Sequence, residues 1–332
     1  MNAQFKNFLS FFLRLIFSGG VLFYIFTKID MEKTVEVLKT ADLSLMAAAF
    51  VIFFMINMIL LWRWMVYIRG LELNASFLTA MRYFFIGLFG NLFLPTAVGG
   101  DLIKVWGLCR DSAQKPRVVA SVLIDRLSGF AGIMIVGTLA YLFGYQLIKD
   151  GSLMFSVAVL AVLSIGVGIV LFNHTVYSFF CKVFNPFPKI REAVMAMHYD
   201  LALLKGKGKQ IVLLRGVALS CLAQVVSAGM SYLIARALHQ EIPLIYFLIF
   251  IPLMCVASTV PSIGGLGARE AGAAYLFSKV GVGAGIAVSI SLITFLFMMV
   301  IGLMGGLIYV ATLSAGRVQH YPSGPGLGNA NV

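Results

Sequence analysis

Two short stretches decide the fold of this chain: LPTAVGGD at residues 94–101 and VPSIGGLG at residues 260–267. Each follows an apolar run, residues 77–94 in the first case and 243–260 in the second. Each places a proline, which a helix interior does not tolerate, ahead of adjacent glycines, which permit tight turns. A cation follows four residues after the second glycine: Lys104 and Arg269. The pattern predicts the two broken tips of an internally duplicated membrane protein, with the functional site between them.

The composition predicts a polytopic membrane protein. The chain is 61% hydrophobic and 11% charged, with a mean hydropathy of +0.97, whereas soluble domains carry about 25% charged residues. Long apolar runs recur along the whole length, as in a protein that crosses the bilayer several times. The net charge of +12 favours cytoplasmic loops beside an anionic leaflet over a nucleic-acid partner.

The sequence offers little support for catalysis. The four cysteines are scattered without metal-ligand spacing, and the four histidines lie in polar segments or the tail. Phosphate-binding, serine-hydrolase and zinc-protease motifs are absent from the sequence. We therefore expect no catalytic residue, no metal and no cofactor, and a transporter is favoured over an enzyme.

Apolar runs predict the helices. The first, residues 8–26, is interpreted as a retained helix because Arg14 interrupts it and a signal peptide is therefore disfavoured. The second, Leu43–Trp62, is expected to end in an interfacial Trp62-Arg63-Trp64 anchor. Further spans are predicted at residues 118–143, 152–172, 211–238 and 283–313. The tail, residues 314–332, is rich in Gly, Pro, Ser and Asn and is predicted to be disordered.

The charges indicate the topology. If residues 77–94 crossed the bilayer, the segments 101–117 and 182–215 would place eleven Lys and Arg outside, which inverts the positive-inside rule. If residues 77–94 instead turn back, the inside holds 17 Lys and Arg against 5 Asp and Glu, and the outside holds 7 against 7. A re-entrant first hairpin with a cytoplasmic amino terminus is therefore predicted. For residues 243–260 the Lys and Arg counts are about as good for a full span as for a hairpin. A hairpin is favoured because the tip at residues 260–267 repeats the sequence pattern of the tip at residues 94–101.

These arguments predict an all-α polytopic membrane protein built as an inverted repeat. Residues 1–148 would form the first membrane repeat and residues 149–313 the second. About six full transmembrane helices and two re-entrant hairpins are expected, since an odd number of spans in each half inverts its orientation. The alternative is eight full spans.

The predicted binding site lies around the two tips. Backbone N–H groups at a glycine turn or a helix start bind anions, and a phosphate fits such a site. For the tips the predicted binding residues are Pro95, Gly99, Gly100, Pro261, Gly264, Gly265 and Gly267. Polar residues inside apolar runs mark pathways and add Arg82, Asn91, Asp101, Lys104, Asp125, Arg126, Arg269 and Glu270.

Structural roles are the alternative for each of these residues. The glycines could serve close packing, and Asp125-Arg126 and Arg269-Glu270 could be structural salt bridges or pairs that extend to the membrane interface. Arg82 could reach the interface, while Asn91 and Asp101 could cap helices.

The motifs together resemble the lysylphosphatidylglycerol synthase transmembrane-region family, also called flippase-like membrane proteins. The resemblance covers most of residues 8–313. It rests on Gly87-x-x-x-Asn91-x-x-x-Pro95-x-x-x-Gly99-Gly100-Asp101, Val122-Leu123-Ile124-Asp125-Arg126, and Pro261-x-x-Gly264-Gly265-Leu266-Gly267-x-Arg269-Glu270. One departure is Asp125, where the family pattern leads us to expect Glu.

The resemblance implies movement or binding of lipids. The leading hypothesis is a flippase for a phosphate-bearing lipid, whether an anionic or aminoacylated phospholipid or a polyprenyl phosphate. The alternatives are a membrane glycosyl- or group-transferase acting on a lipid phosphate, and a non-transporting scaffold for a lipid-modifying enzyme. Only a short tail follows residue 313, so synthase activity is not expected. The expected location is the bacterial cytoplasmic (inner) membrane.

Overall fold

A computed structural model describes residues 39–93, 99–110, 114–144, 210–258 and 267–314, together with residues 35, 112 and 162. Within these ranges every regular element is a helix and no strand is present, which confirms the predicted all-α class. The expected helices at 8–26 and 152–172 and the tail lie outside the described residues, apart from isolated positions.

Eight helices form in the described ranges. They are α1 Leu43–Gly70, α2 Phe77–Phe93, α3 Gly99–Arg110, α4 Lys115–Gly144, α5 Gln210–Ala237, α6 Leu244–Ala257, α7 Ala268–Ser278 and α8 Ala284–Ser314. Four of them, α1, α4, α5 and α8, are long and apolar enough to cross a membrane. By contrast, α2 has 17 residues and α6 has 14, which at 1.5 Å per residue gives about 25 and 21 Å. Both fall short of the roughly 30 Å hydrocarbon core.

Helix α1 ends later than the sequence predicts. It is capped at its start by Asp42, whose side chain accepts hydrogen bonds from Ser44 and Leu45. The bond from the Ser44 hydroxyl is the main reason that the pKa of Asp42 lies below its usual value. The helix continues to Gly70, so the prediction that it ends at the Trp62-Arg63-Trp64 anchor was wrong. Arg63 is buried and ion-paired and has no need to reach the interface.

Helices α1 and α5 pack against each other in antiparallel orientation. The amide of Asp42, before α1, donates to the carbonyl of Ala237 at the end of α5, over 2.9 Å. At the opposite end Tyr67 lies against Gly216, near the start of α5, so closely that a Cβ at Gly216 would overlap the phenol ring. Tyr67 is fully buried. The crossing therefore joins the start of each helix to the end of the other.

Two antiparallel helix pairs adjoin the predicted tips. In the α2–α3 pair, Gly100 lies against Gly87 and Gly107 against Tyr83. In the α6–α7 pair, Gly272 lies near Ala257, and Phe277 packs on the ring of Phe250 with centroids 5.1 Å apart. The segments 101–117 and 268–279 thus include most of α3 and all of α7. In each pair the chain returns toward the end of the bundle from which it came.

The order and packing of the helices repeat along the chain. Helices α5, α6, α7 and α8 begin 167, 167, 169 and 169 residues after α1, α2, α3 and α4. Helix α6 packs on α4 where Gly137 meets Pro252. Helix α2 packs on α8 where Gly305 meets Phe85. These contacts lie at matching positions of the two series.

Gly100→Ala is expected to destabilise the protein by about 1–3 kcal/mol, the usual cost of overpacking. A Cβ at Gly100 would overlap the carbonyl oxygen of Gly87 and come within 2.7 Å of Asn91 Oδ1. The matched control is Gly229→Ala in α5, where nothing lies within 4 Å of the added carbon. That change should be neutral or stabilise by up to about 1 kcal/mol. Unfolding in mixed detergent micelles measures both, and equal effects would contradict the close α2–α3 contact.

Candidate functional site

The first polar group lies at the start of α3 and is named here the first-hairpin cluster: Asp101, Lys104 and Arg126. The Asp101 carboxylate is shared, because Oδ1 lies 3.3 Å from Lys104 Nζ and Oδ2 accepts from Arg126 Nε. Asp101 and Lys104 are buried. The Lys104 ammonium also lies over the ring of Phe84, at 4.7 Å, and that of Trp64, at 5.4 Å, where ring faces attract cations. Arg126 reaches the carboxylate from α4.

Asp125 and Arg126 do not pair with each other. Consecutive helical residues face different directions, and Asp125 instead binds Arg63 of α1, with Nε 2.7 Å from Oδ1. Arg63 Nη1 donates to Ser220 Oγ of α5 at 3.1 Å. This buried network therefore ties together α1, α4 and α5. Asp125 and Arg126 therefore both take part in structural salt bridges, but with partners on other helices.

The second polar group lies at the start of α7 and is named the second-hairpin clamp: Gly267, Arg269, Glu270 and Ser291. Gly267 has φ +89°, a backbone conformation that favours glycine. Its amide donates to Glu270 Oε2 at 2.7 Å, and Arg269 Nη2 and Ser291 Oγ each donate to Oε1 at 2.9 Å. Arg269 also binds Ser291, through Nε to Oγ at 2.8 Å and Nη2 to the carbonyl at 3.1 Å. Glu270 is fully buried, with its acceptors occupied.

Matching positions of α3 and α7 carry matching residues. Asp101 and Glu270 are each the third residue of their helix, where a carboxylate suits the positive end of the helix dipole. Nearer the other end, Arg110 lies 6.0 Å from the Trp106 ring and Lys279 lies 5.1 Å from the Tyr275 ring. Both aromatic residues are at least half exposed. Exposed aromatic residues with cations are typical of membrane interfaces.

Comparison with known proteins fits this architecture of apolar helices. The sequence profile of the family described as the lysylphosphatidylglycerol synthase TM region matches residues 11–306. The chain belongs to this family. It is also similar to a UPF0104 membrane protein from Pyrococcus horikoshii, with 28% identity over 116 residues. That match spans 34% of this chain and 35% of the relative, so it covers about a third of each.

Membership in this family makes the chain an integral membrane protein and confirms the resemblance drawn from its motifs. The family match begins at residue 11 and ends at residue 306. It therefore includes both predicted tips, all of α1 to α7 and most of α8.

The remaining predicted residues have varied surroundings. The Asn91 side-chain oxygen accepts from the amide of Gly100 at 2.8 Å, so this amide is already bound and Asn91 does cap α3. Gly99 and Gly100 are the buried first residues of α3. Arg82 is half-buried, and the described residues offer it no ion pair or hydrogen bond. Pro95, Pro261, Gly264 and Gly265 lie outside the described residues.

The structure thus brings Asp101, Lys104 and Arg126 together in one group and Arg269 and Glu270 in another. The first group joins α3 to α4, whereas the second joins α7 to α8. Sequence reasoning missed Arg63, which it assigned to the interface. An arginine between two tryptophans late in an apolar run is also an intramembrane charge in need of a partner, and this signal could have identified it. Within the described ranges no three His, Cys, Asp or Glu side chains lie close enough to hold a metal ion.

Proposed function

We propose that this protein is a lipid transporter that moves a phosphate-bearing lipid between the two leaflets of the bilayer. The observation that carries the proposal is a set of cations held by carboxylates among apolar helices: Arg63 and Lys104, which are buried, and Arg126, which is partly exposed. Burying charge inside a membrane protein is expensive and usually marks a pathway. Cations beside the start of a short helix suit an anionic head group.

The proposed architecture is the inverted repeat with six full spans and two re-entrant hairpins. It is supported by the antiparallel packing of α1 on α5, helices that hold the same place in the two series. Two halves whose equivalent helices run in opposite directions have opposite orientations in the membrane. The α2–α3 hairpin would then enter from the cytoplasmic face and the α6–α7 hairpin from the opposite face.

This arrangement suggests how a lipid could cross. A phosphate cannot enter hydrocarbon without compensating charge or hydrogen bonds, whereas acyl chains already match the hydrocarbon. Lys104 and Arg126 would supply that compensation within the bundle, while the acyl chains stay among the apolar surfaces of the long helices. The lipid would be a membrane phospholipid or a polyprenyl phosphate, and the membrane would be the cytoplasmic (inner) membrane with the basic segments inside.

The transferase alternative has weaker support. It requires a carboxylate able to act as a base, and Asp101, Asp125 and Glu270 are the acids nearest the predicted tips. Each is held by an arginine or a lysine within 4 Å. Each of these carboxylates is already engaged in an ion pair, so a role in positioning the cations fits the three acids better than a role as the base.

The test is lipid transfer in liposomes that contain the purified protein. A fluorescent phosphatidylglycerol in the outer leaflet is quenched chemically, and the protected fraction reports transfer between leaflets. We expect wild type to exceed protein-free liposomes and Arg126→Gln to lower the rate about 10- to 150-fold, since a hydrogen bond to a charged group contributes about 1.5–3 kcal/mol. Arg236→Gln, which removes an exposed ion pair with Glu241, is the matched control and should transfer lipid at the wild-type rate.

A further inference from the structure

We infer that the packed faces of α1 and α5 bind internal water, which forms the middle of the route across the membrane. The polar side chains that hold this water are named here the central seam: Asn57, Tyr67, Ser220 and Gln224. The inference rests on the proposed function, and it adds a path between the buried network of Arg63 and the second-hairpin clamp.

Two buried polar atoms of the seam have no hydrogen-bond partner among the described residues: the hydroxyl oxygen of Tyr67 and the side-chain carbonyl oxygen of Gln224. Tyr67 is fully buried, and its hydroxyl lies against Gly216 of α5. Ser128 is close to this hydroxyl, but it donates to the carbonyl of Asp125 at 2.8 Å. Buried polar atoms are normally bonded to protein or to ordered water, so the two atoms indicate bound water.

The middle of the seam consists of two amide side chains, Asn57 in α1 and Gln224 in α5. Each is the fifteenth residue of a 28-residue helix, and the antiparallel pairing of α1 and α5 is fixed at both ends. The two residues therefore lie at the same level. Because both helices are long enough to cross a membrane, this level is near its middle, where a polar group has most need of hydrogen bonds.

The amides also have capacity to bind water. An amide side chain offers two N–H donors and one acceptor oxygen. Asn57 uses one donor for the carbonyl of Phe53, at 2.8 Å. The acceptor oxygen of Gln224 is unpartnered among the described residues. Water at this level would satisfy these groups without any movement of the helices.

The seam connects the polar groups of the two halves. Ser220 lies four residues before Gln224, and residues four apart share one face of a helix. The Ser220 hydroxyl accepts from Arg63, which joins the seam to the buried network of α1 and α4. On the other side, the Gln224 side chain lies beside the thiol of Cys255 in α6, and the charge of Arg269 acts on the same thiol. The seam therefore leads from one arginine to the other.

A structural role is the alternative for Gln224, because amide side chains often join membrane helices by hydrogen bonds. The two roles predict opposite effects on stability. Removing a bonded amide destabilises the fold, whereas replacing an unpartnered buried acceptor by an apolar group of similar size is neutral or stabilising. Stability and lipid transfer, measured on the same variant, therefore distinguish them.

The first experiment is X-ray radiolysis of the purified full-length protein, in detergent and in water labelled with a heavy oxygen isotope. Hydroxyl radicals formed from internal water oxidise the side chains beside it, and mass spectrometry locates the label. Since bound water lies against its polar partners, we expect Tyr67 to be labelled about tenfold or more faster than Phe247 and Phe250. These two rings are just as buried but lie in the apolar core. Labelling of Tyr67 no faster than theirs would overturn the inference.

The second experiment compares Gln224→Leu with Val225→Leu, a control at the next residue, which is half exposed. We expect Gln224→Leu to unfold at the wild-type temperature or higher. It should slow the transfer of fluorescent phosphatidylglycerol in liposomes about 3- to 10-fold, the equivalent of one hydrogen bond. Val225→Leu should leave both quantities unchanged. A Gln224→Leu protein that unfolds more easily, or that transfers lipid at the wild-type rate, would contradict the role of the seam.

The two experiments separate this inference from the proposed function. Lipid transfer by wild type with Tyr67 unlabelled would overturn the inference and leave the transport proposal intact. Labelled Tyr67 without any transfer by wild type would reject the transport proposal, and with it the role of the seam in a route. Rapid labelling of Tyr67 together with slower transfer by a stable Gln224→Leu protein is the result that supports both.

Discussion

Replacing Arg63 with methionine is expected to lower the free energy of unfolding by about 3–5 kcal/mol, the usual cost of removing one partner of a buried ion pair. The change leaves the Asp125 carboxylate buried without its cation and Ser220 without the contact from Arg63. The three helices that this network joins, α1, α4 and α5, should separate at a lower proportion of denaturing detergent in mixed micelles.

The double variant Arg63→Met with Asp125→Leu distinguishes an uncompensated charge from a general loss of packing. Replacing both ions by apolar groups is often neutral, so the double variant should recover most of the lost stability. Arg236→Gln at the exposed pair with Glu241 is the control and should change stability by less than about 0.5 kcal/mol. An Arg63→Met effect as small as that of the control would contradict the buried network.

The second large effect is expected at Glu270, which organises the second-hairpin clamp. Glu270→Ala should destabilise the protein by about 3–5 kcal/mol, because the change leaves the largely buried Arg269 without its carboxylate. It also leaves the amide of Gly267 without its acceptor and removes the bond from Ser291. Mixed-micelle unfolding measures the loss.

The control for Glu270→Ala is Glu241→Ala, which removes a carboxylate that is 88% exposed in the pair with Arg236. Its effect should stay within about 0.5 kcal/mol. Glu270→Gln keeps the size of the side chain and one acceptor oxygen, so it should cost less than Glu270→Ala. If Glu270→Gln and Glu270→Ala were both harmless, the clamp would not stabilise the hairpin.

The fold class and the placement of most helices could be predicted from the sequence because they depend on local properties. The apolar runs predicted most ends of six helices to within a few residues: α1, α2, α4, α5, α6 and α8. Helix α3 was not predicted, because polar residues such as Asp101 and Lys104 are typical of a loop between membrane helices. In the structure those side chains are buried and neutralise one another. Their charge therefore does not mean that the segment is exposed to water.

The partners of the charged residues could not be predicted, because they depend on how distant helices align. Asp125 and Arg126 are neighbours in the sequence, yet one binds α1 and the other binds α3. Arg269 and Glu270 are also neighbours, and they do bind each other. The same two-residue pattern therefore gave opposite outcomes. Which outcome applies depends on whether a third charged residue, here Arg63 or Asp101, lies within reach.

The proposed inverted repeat requires that the two hairpins enter the bilayer from opposite faces. Labelling with a membrane-impermeant thiol reagent tests it most directly, on a background in which the four native cysteines are replaced. Single cysteines are placed at the equivalent exposed positions Trp106 in α3 and Tyr275 in α7. We expect the cysteine at position 106 to react only from the cytoplasmic side and the cysteine at position 275 only from the other side. Labelling of both positions from the same side would contradict it.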